Sequence, residues 1–267
     1  MAMDNEGKVL TLMPPNKKKL AERKRKFDLK FLLTGNSGSG KTHLTATYTG
    51  GPIHYYMLDK GGEKTIEKIS ADRTDITMDN FSLDSQLFSL FWQQFQQDEK
   101  DGLFDWLAEN SGLLVLDSIT RANLKAITEI ARKAGITPSG IGKKIDMKLG
   151  MAPPHWGQLL NWMSTLVSSL QELPCAVVVT AHLHTIMNKD QEVVGRYPAV
   201  NGQFRQLLAT DFDEAYLLTT RGSKREIYFT EKLGFEAKSR VFDMAKVQDI
   251  TLDQLAKSYL TGKTVIS

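Results

Sequence analysis

Eight consecutive residues carry the clearest chemistry in this chain. Gly35-Asn36-Ser37-Gly38-Ser39-Gly40-Lys41-Thr42 fit the pattern GxxxxGK[ST] without a mismatch. Glycines at that spacing let the backbone turn tightly and aim its amides at an anion. A helix opening at Lys41 adds its positive end. Lys41 is placed to reach terminal phosphates as a point charge, and the Thr42 hydroxyl to ligate Mg2+. Asp117 is the natural second half. It ends the apolar run Gly112-Leu113-Leu114-Val115-Leu116, where a carboxylate can hold Mg2+ through its waters. Ser118 beside it reads as a helix cap.

These residues need a scaffold, and the surrounding pattern supplies one. Phe31 to Thr34 reads as a strand, followed by the glycine loop and a helix from Lys41. Ile53 to Asp59 is a second strand, stopped by Gly61-Gly62. Residues 82–97 read as an amphipathic helix, with Leu83, Leu87, Leu90, Phe91 and Phe95 near helical spacing. Leu113 to Asp117 and Ala176 to His182 are apolar runs suited to strands buried on both faces. Helices are predicted over 119–134 and 156–172. Long loops are predicted over 135–154 and 183–201. Three alternating runs, Glu214 to Thr219, Glu226 to Thr230 and Phe235 to Val241, close the sheet. Strands alternating with helices imply an α/β fold with a mostly parallel central sheet and antiparallel C-terminal strands. Ligands of such sheets sit at the carboxyl ends of the strands, where the three polar features converge.

The 267 residues, 41% hydrophobic and 24% charged, exclude a wholly disordered chain and a collagen-like one. A single cysteine, Cys175, excludes an intramolecular disulfide framework and a zinc site of several cysteines. No apolar run has the length of a membrane span, and no signal-peptide core opens the chain. The expectation is a soluble intracellular protein with no membrane partner. Residues 16–30 hold eight Lys/Arg against two Asp/Glu, which leaves the rest of the chain slightly acidic. The predicted division is a basic N-terminal arm, 1–26, and one domain, 27–267. Such an arm suits a phosphate backbone or an acidic neighbour, and equally a solvated lead-in.

The order of glycine loop, acidic turn after the second strand, LLVLDS and VVVTAH resembles the RecA/KaiC-type branch of P-loop ATPases. NGQFR (201–205), FDEAYLL (212–218) and FEAKSR (235–240) narrow the resemblance to phage nucleotide-binding P-loop proteins, which include RecA-like single-strand annealing proteins. The resemblance covers about residues 27–242. It implies a RecA-like P-loop NTPase core that binds ATP and Mg2+ and hydrolyses ATP with stimulation by DNA. It also implies a ring or filament of identical subunits with nucleotide at the interface. Single-stranded DNA is the implied partner, beside a single-strand-binding protein or other recombination protein. The implied place is the cytoplasm, of a bacterial host if the chain is phage-encoded. A ring helicase or packaging motor, and a slow nucleotide switch that binds a protein, remain alternative readings.

Residue roles follow from the same resemblance. His182 stands where the branch has a polar sensor of the γ-phosphate. Lys238 and Arg240 form a K-x-R pair that strand alternation puts on one face; in related assemblies such a pair reaches a neighbour's γ-phosphate. The branch usually has a glutamate two residues after the second strand's aspartate, and here that position is Gly61. Glu63 is the substitute if the turn bends it back, and Asp59 the other. Loops at similar places grip single-stranded DNA, which points to Lys143, Lys144 and Lys148 in the first loop and Lys189 and Arg196 in the second.

Overall fold

The computed structural model describes residues 2–3, 9–10, 28–83, 87–136, 151–202, 204–222, 224–232, 234–242 and 245–261. Most of the basic arm, together with Lys143, Lys144 and Lys148, lies outside them. The short pair β1 (Ala2–Met3) and β2 (Val9–Leu10) is antiparallel.

The central sheet begins with β3 (Lys30–Gly35), which leads through the glycine loop into α1 (Lys41–Ala46). Then come β4 (Ile53–Met57), α2 (Gly62–Ile69), β5 (Ile76–Asn80), α3 (Phe88–Lys100) and α4 (Leu103–Glu109). Next are β6 (Leu113–Asp117), α5 (Ile119–Lys133), α6 (Pro153–Glu172), β7 (Ala176–Met187) and β8 (Val193–Pro198). The chain closes with α7 (Phe204–Asp211), β9 (Glu214–Arg221), β10 (Lys224–Tyr228), β11 (Lys246–Gln248) and α8 (Leu252–Thr261). The strand order is β11-β10-β9-β3-β7-β6-β4-β5, with β8 paired to β7. The strands from β9 to β5 run parallel, and β10 and β11 are antiparallel.

Alternation along each parallel strand divides the core. Leu32, Tyr56, Leu114, Leu116, Val177 and Val179 pack with the apolar faces of α3 to α7. Phe31, Leu33, Tyr55, Met57, Leu113, Val115 and Val178 pack on the other side with Leu44 of α1, Ile66 of α2 and Leu252 and Leu255 of α8. Both faces are covered, so the strands read as continuous apolar runs. Each fully buried Leu, Val or Phe contributes about 1.5–3 kcal/mol relative to exposure.

Three expectations are corrected. Residues 183–201 are not a loop: β7 runs on to Met187 and pairs with β8 as an antiparallel hairpin. The polar residues that read as loop are its turn, where Asn188 Oδ1 accepts the amides of Asp190 and Glu192. Phe235 to Val241 is not a strand but a chain of isolated bridges, Lys232 with Phe235 and Ala215 with Lys238. Side chains take the donors a ladder would use: Glu214 Oε1 accepts the Arg240 amide, and Ser239 Oγ accepts those of Val241 and Phe242. The helix expected over 82–97 starts at Phe88, because Asn80 Oδ1 turns the chain at the Ser82 amide and Lys125 Nζ caps the Leu83 carbonyl.

Candidate nucleotide site

Six buried residues of β3 deliver Gly35 to the carboxyl edge of the sheet, beside His182 of β7 and Leu218 of β9. Gly40 caps α1 at φ 92, a left-handed conformation that costs a side-chain-bearing residue about 1–2 kcal/mol. A Cβ there would also strike Arg225, 2.7 Å from its Cδ. Lys41 is buried and folds over the loop, donating from Nζ to the carbonyls of Gly35 (2.9 Å) and Asn36 (3.0 Å). Burial lowers its pKa, with Asp117 and Asp59 pulling the other way. Ser39 Oγ is buried inside the loop without a hydrogen-bond partner.

Asp117, 2% exposed, ends β6, which β7 separates from β3. Thr42 Oγ1 donates to its Oδ2 at 2.6 Å, and Thr180 Oγ1 of β7 donates to its Oδ1. Burial raises its pKa, against the two threonine hydrogen bonds. Thr42 and Asp117 are an all-oxygen donor pair that Mg2+ accepts, and the orphaned Ser39 hydroxyl and inward loop suit a phosphate chain. The residues present therefore fit both groups.

Beside this pair stands a second cluster. The backbone of Leu58 and Asp59 hydrogen-bonds the Asp117 carbonyl, at 2.6 and 3.0 Å. The Asp59 carboxylate meets His182 Nε2 (2.9 Å) and Arg121 Nε (3.1 Å). Burial alone would raise the Asp59 pKa; hydrogen bonds from His182 and Ser118 and the charge of Arg121 outweigh it and hold the group below its usual value. Thr120 Oγ1 accepts the His182 amide, which ties α5 to β7.

The structure thus gathers Gly35 to Thr42, Asp117, Asp59 and His182 on one edge. Glu63 is exposed, its carboxylate taking a hydrogen bond from Asn80 Nδ2 at 3.0 Å. Lys238 and Arg240 are elsewhere. Lys238 bridges Ala215, which pairs with Leu32, three residues from Gly35 or about 10 Å toward the amino end of the sheet. Its Nζ donates to the Thr210 carbonyl, and Arg240 pairs with Asp213 at 2.8 Å with 72% of its side chain exposed. Lys189 lies at the exposed tip of the β7–β8 hairpin. Arg196 lines a cavity of about 200 Å³ with Tyr197, Arg205, Phe235 and Glu236. Two residues escaped the sequence reading. Arg121 lies in the first turn after Ser118, a place the LDS motif could have flagged. Arg225 leans on the glycine loop because Asp249 pins its backbone on both sides, at 3.0 Å each, which no local pattern announces.

A glycine loop at the end of a central parallel strand, with a threonine–aspartate pair at its mouth, defines a P-loop ATPase fold. The chain belongs to the AAA domain family (AAA_24), whose model matches residues 28–241. Two solved structures are similar. One is a prototypical ATPase from the type III secretion system of pathogenic bacteria, at 15% identity and TM-score 0.47, covering 80% of this chain and 57% of that one. The other is the assembled ATPase EscN in complex with its central stalk EscO from enteropathogenic E. coli, at 14% identity and TM-score 0.46, covering 81% and 48%. The chain spans about half the length of these two structures. No curated protein matches it. Among the described residues no helix is long and apolar enough to cross a membrane.

Proposed function

We propose that this chain is a Mg2+-dependent ATPase that assembles on single-stranded DNA and promotes annealing or strand pairing. The observation that carries the ATPase half is the run Thr42–Asp117–Thr180 at the mouth of a buried glycine loop. Lys41 would exchange the Gly35 and Asn36 carbonyls for phosphate oxygens, and Thr42 and Asp117 would hold Mg2+, which when bound would supply positive charge to the phosphate oxygens. Asp59 would orient the attacking water, and His182, held through Nε2 by Asp59, would be the polar group that senses the terminal phosphate. Arg225 adds a cation from the same subunit.

Lys238 and Arg240 sit too far toward the amino end to serve their own loop; Arg240 is exposed and Lys238 half-buried. A neighbouring subunit's site is the place where they would stabilise transition-state charge. The DNA half is supported by β7, one unbroken strand of 12 residues. It carries Thr180 and His182 at the site and continues into the hairpin bearing Lys189 and Arg196. Nucleotide state and a phosphate backbone on the hairpin would thus act on one continuous strand.

ATP turnover with and without single-stranded oligonucleotide, with particle size by light scattering, tests this reading. Stimulated turnover by enlarged particles is expected; unstimulated turnover by monomers overturns the DNA and assembly parts. A slow nucleotide switch is the second reading, favoured by the ties of Asp59 to His182 and Arg121. It would show tight nucleotide binding with turnover that DNA leaves unchanged.

A further inference from the structure

We propose that His54, Asp79 and Asp98 form a binding site for a divalent transition-metal ion, best matched by zinc, which staples the edge strand β5 to β4 and α3. This inference does not rest on the nucleotide reading. His54 lies on β4 opposite Thr77, and Tyr56 lies opposite Asp79 of β5. Period-2 alternation puts all four on one sheet face, against which α3 lays Asp98. One donor atom from each of His54, Asp79 and Asp98 lies within 4.8 Å of the other two.

The histidine supplies the second observation. Its side chain is 7% exposed, and its Nε2 is buried without a hydrogen-bond partner. That nitrogen points at Asp79 Oδ2, 3.4 Å away. Zinc bonds of about 2.0–2.2 Å in a tetrahedron put neighbouring ligand atoms about 3.3–3.5 Å apart, so this pair already has the spacing. The other ring nitrogen, Nδ1, is 2.8 Å from Thr77 Oγ1. A metal-bound histidine normally donates that N–H to an oxygen, which fixes the tautomer and frees Nε2 as a ligand. Burial lowers the His54 pKa, against the raising charges of Asp79 and Asp98; a ligand histidine is the neutral form.

Asp98 is held in place as well. Its Oδ2 accepts the Tyr56 hydroxyl, and its Oδ1 accepts Gln94 Nε2 at 2.8 Å. Each carboxylate oxygen keeps a second lone pair for a metal. One neutral imidazole and two carboxylates balance a divalent charge. The nitrogen donor selects zinc and its neighbours over Mg2+, which prefers oxygen alone. Asp79 and Asp98 are only partly buried, so an ion reaches the site from solvent.

The test uses the full chain stripped with a chelator. Zinc chloride is titrated calorimetrically, and cobalt chloride by visible absorption, with millimolar Mg2+ present. One ion per chain is expected, with intense low-coordination cobalt bands and a higher melting temperature in zinc. His54→Gln and Asp79→Asn should each weaken binding by at least ~10-fold, and Thr77→Val by about 10-fold. Lys41→Ala should bind zinc as the parent does. His54 is buried, so a misfolded His54→Gln is set aside by circular dichroism and the partly exposed Asp79→Asn decides. No stoichiometric zinc uptake, meaning a site that holds only a proton between His54 and Asp79, overturns the proposal. So does equal zinc affinity in folded Asp79→Asn.

Discussion

Two carboxylate centres lie on the same parallel sheet and differ in how their neighbours treat them. At the middle of the sheet, both Asp117 oxygens receive threonine hydroxyls and the group is sealed from solvent. At the edge, Asp79 and Asp98 are partly open, and the nitrogen facing them has no hydrogen-bond partner. The first arrangement is complete as it stands, and on the proposed reading Mg2+ would compete for the Thr42 hydroxyl. The second is incomplete until a cation fills it. A buried carboxylate with a hydroxyl on each oxygen is a preorganised centre; a buried histidine nitrogen with no hydrogen-bond partner beside two carboxylates points to a missing ligand.

The contrast can be broken by mutation, and the largest effect is expected from outside both centres. Arg240→Ala should cut turnover in assemblies by about 10³-fold while nucleotide affinity stays at the parent value. Steady-state hydrolysis beside calorimetry checks this, and normal turnover removes the trans role. Lys41→Ala should weaken binding of an ATP analogue by about 100-fold, as loss of a charge contact in a closed site does. Unchanged affinity would show that the loop is not a phosphate cradle.

Asp59→Asn should cost about 1.5–3 kcal/mol at pH 7, the range for hydrogen bonds to a charged group. The sign follows from its depressed pKa. Its stabilisation is present above the unfolded value of 3.8 and is lost as pH falls through the folded pKa. Urea melts should therefore show parent and variant converging in acid, and a gap that persists at low pH contradicts the assignment. Asp117 has the opposite sign. Its raised pKa makes the parent lose stability as pH rises from 3.8 through the folded value, so Asp117→Asn should flatten that slope. Smallest of all, Asp79→Asn should leave ATP turnover within about twofold, the ordinary scale of a change away from the reacting groups. A large loss there would merge the two centres into one.

The middle centre was legible in the sequence because its parts are local. A glycine loop, an apolar strand ending in Asp117 and another ending near His182 each announce themselves within eight residues, and parallel topology then brings their ends together. The edge centre was not legible, because residues 54, 79 and 98 meet only once β5 has paired with β4 and α3 has docked. Arg225 was hidden for the same reason: it reaches the glycine loop through the β9–β10 hairpin and a pin from Asp249. Charge alone misled at Lys30. It closes the basic stretch on paper, yet it is buried, donating to the carbonyls of Leu173 and Cys175. Lys238 and Arg240 alternated well enough for a strand, but Glu214 and Ser239 claimed the amides that a strand would have used.

On the resemblance drawn from the sequence, Gly61 occupies the place of a glutamate, and it caps α2 at φ 85. Installing a carboxylate there by one substitution would force a side chain into left-handed backbone, at about 1–2 kcal/mol. The obstacle at that position is backbone conformation rather than crowding, since nothing lies within 4 Å of a Cβ there. A glutamate set at Gly61 would thus meet its resistance in the turn of the main chain, before any neighbour.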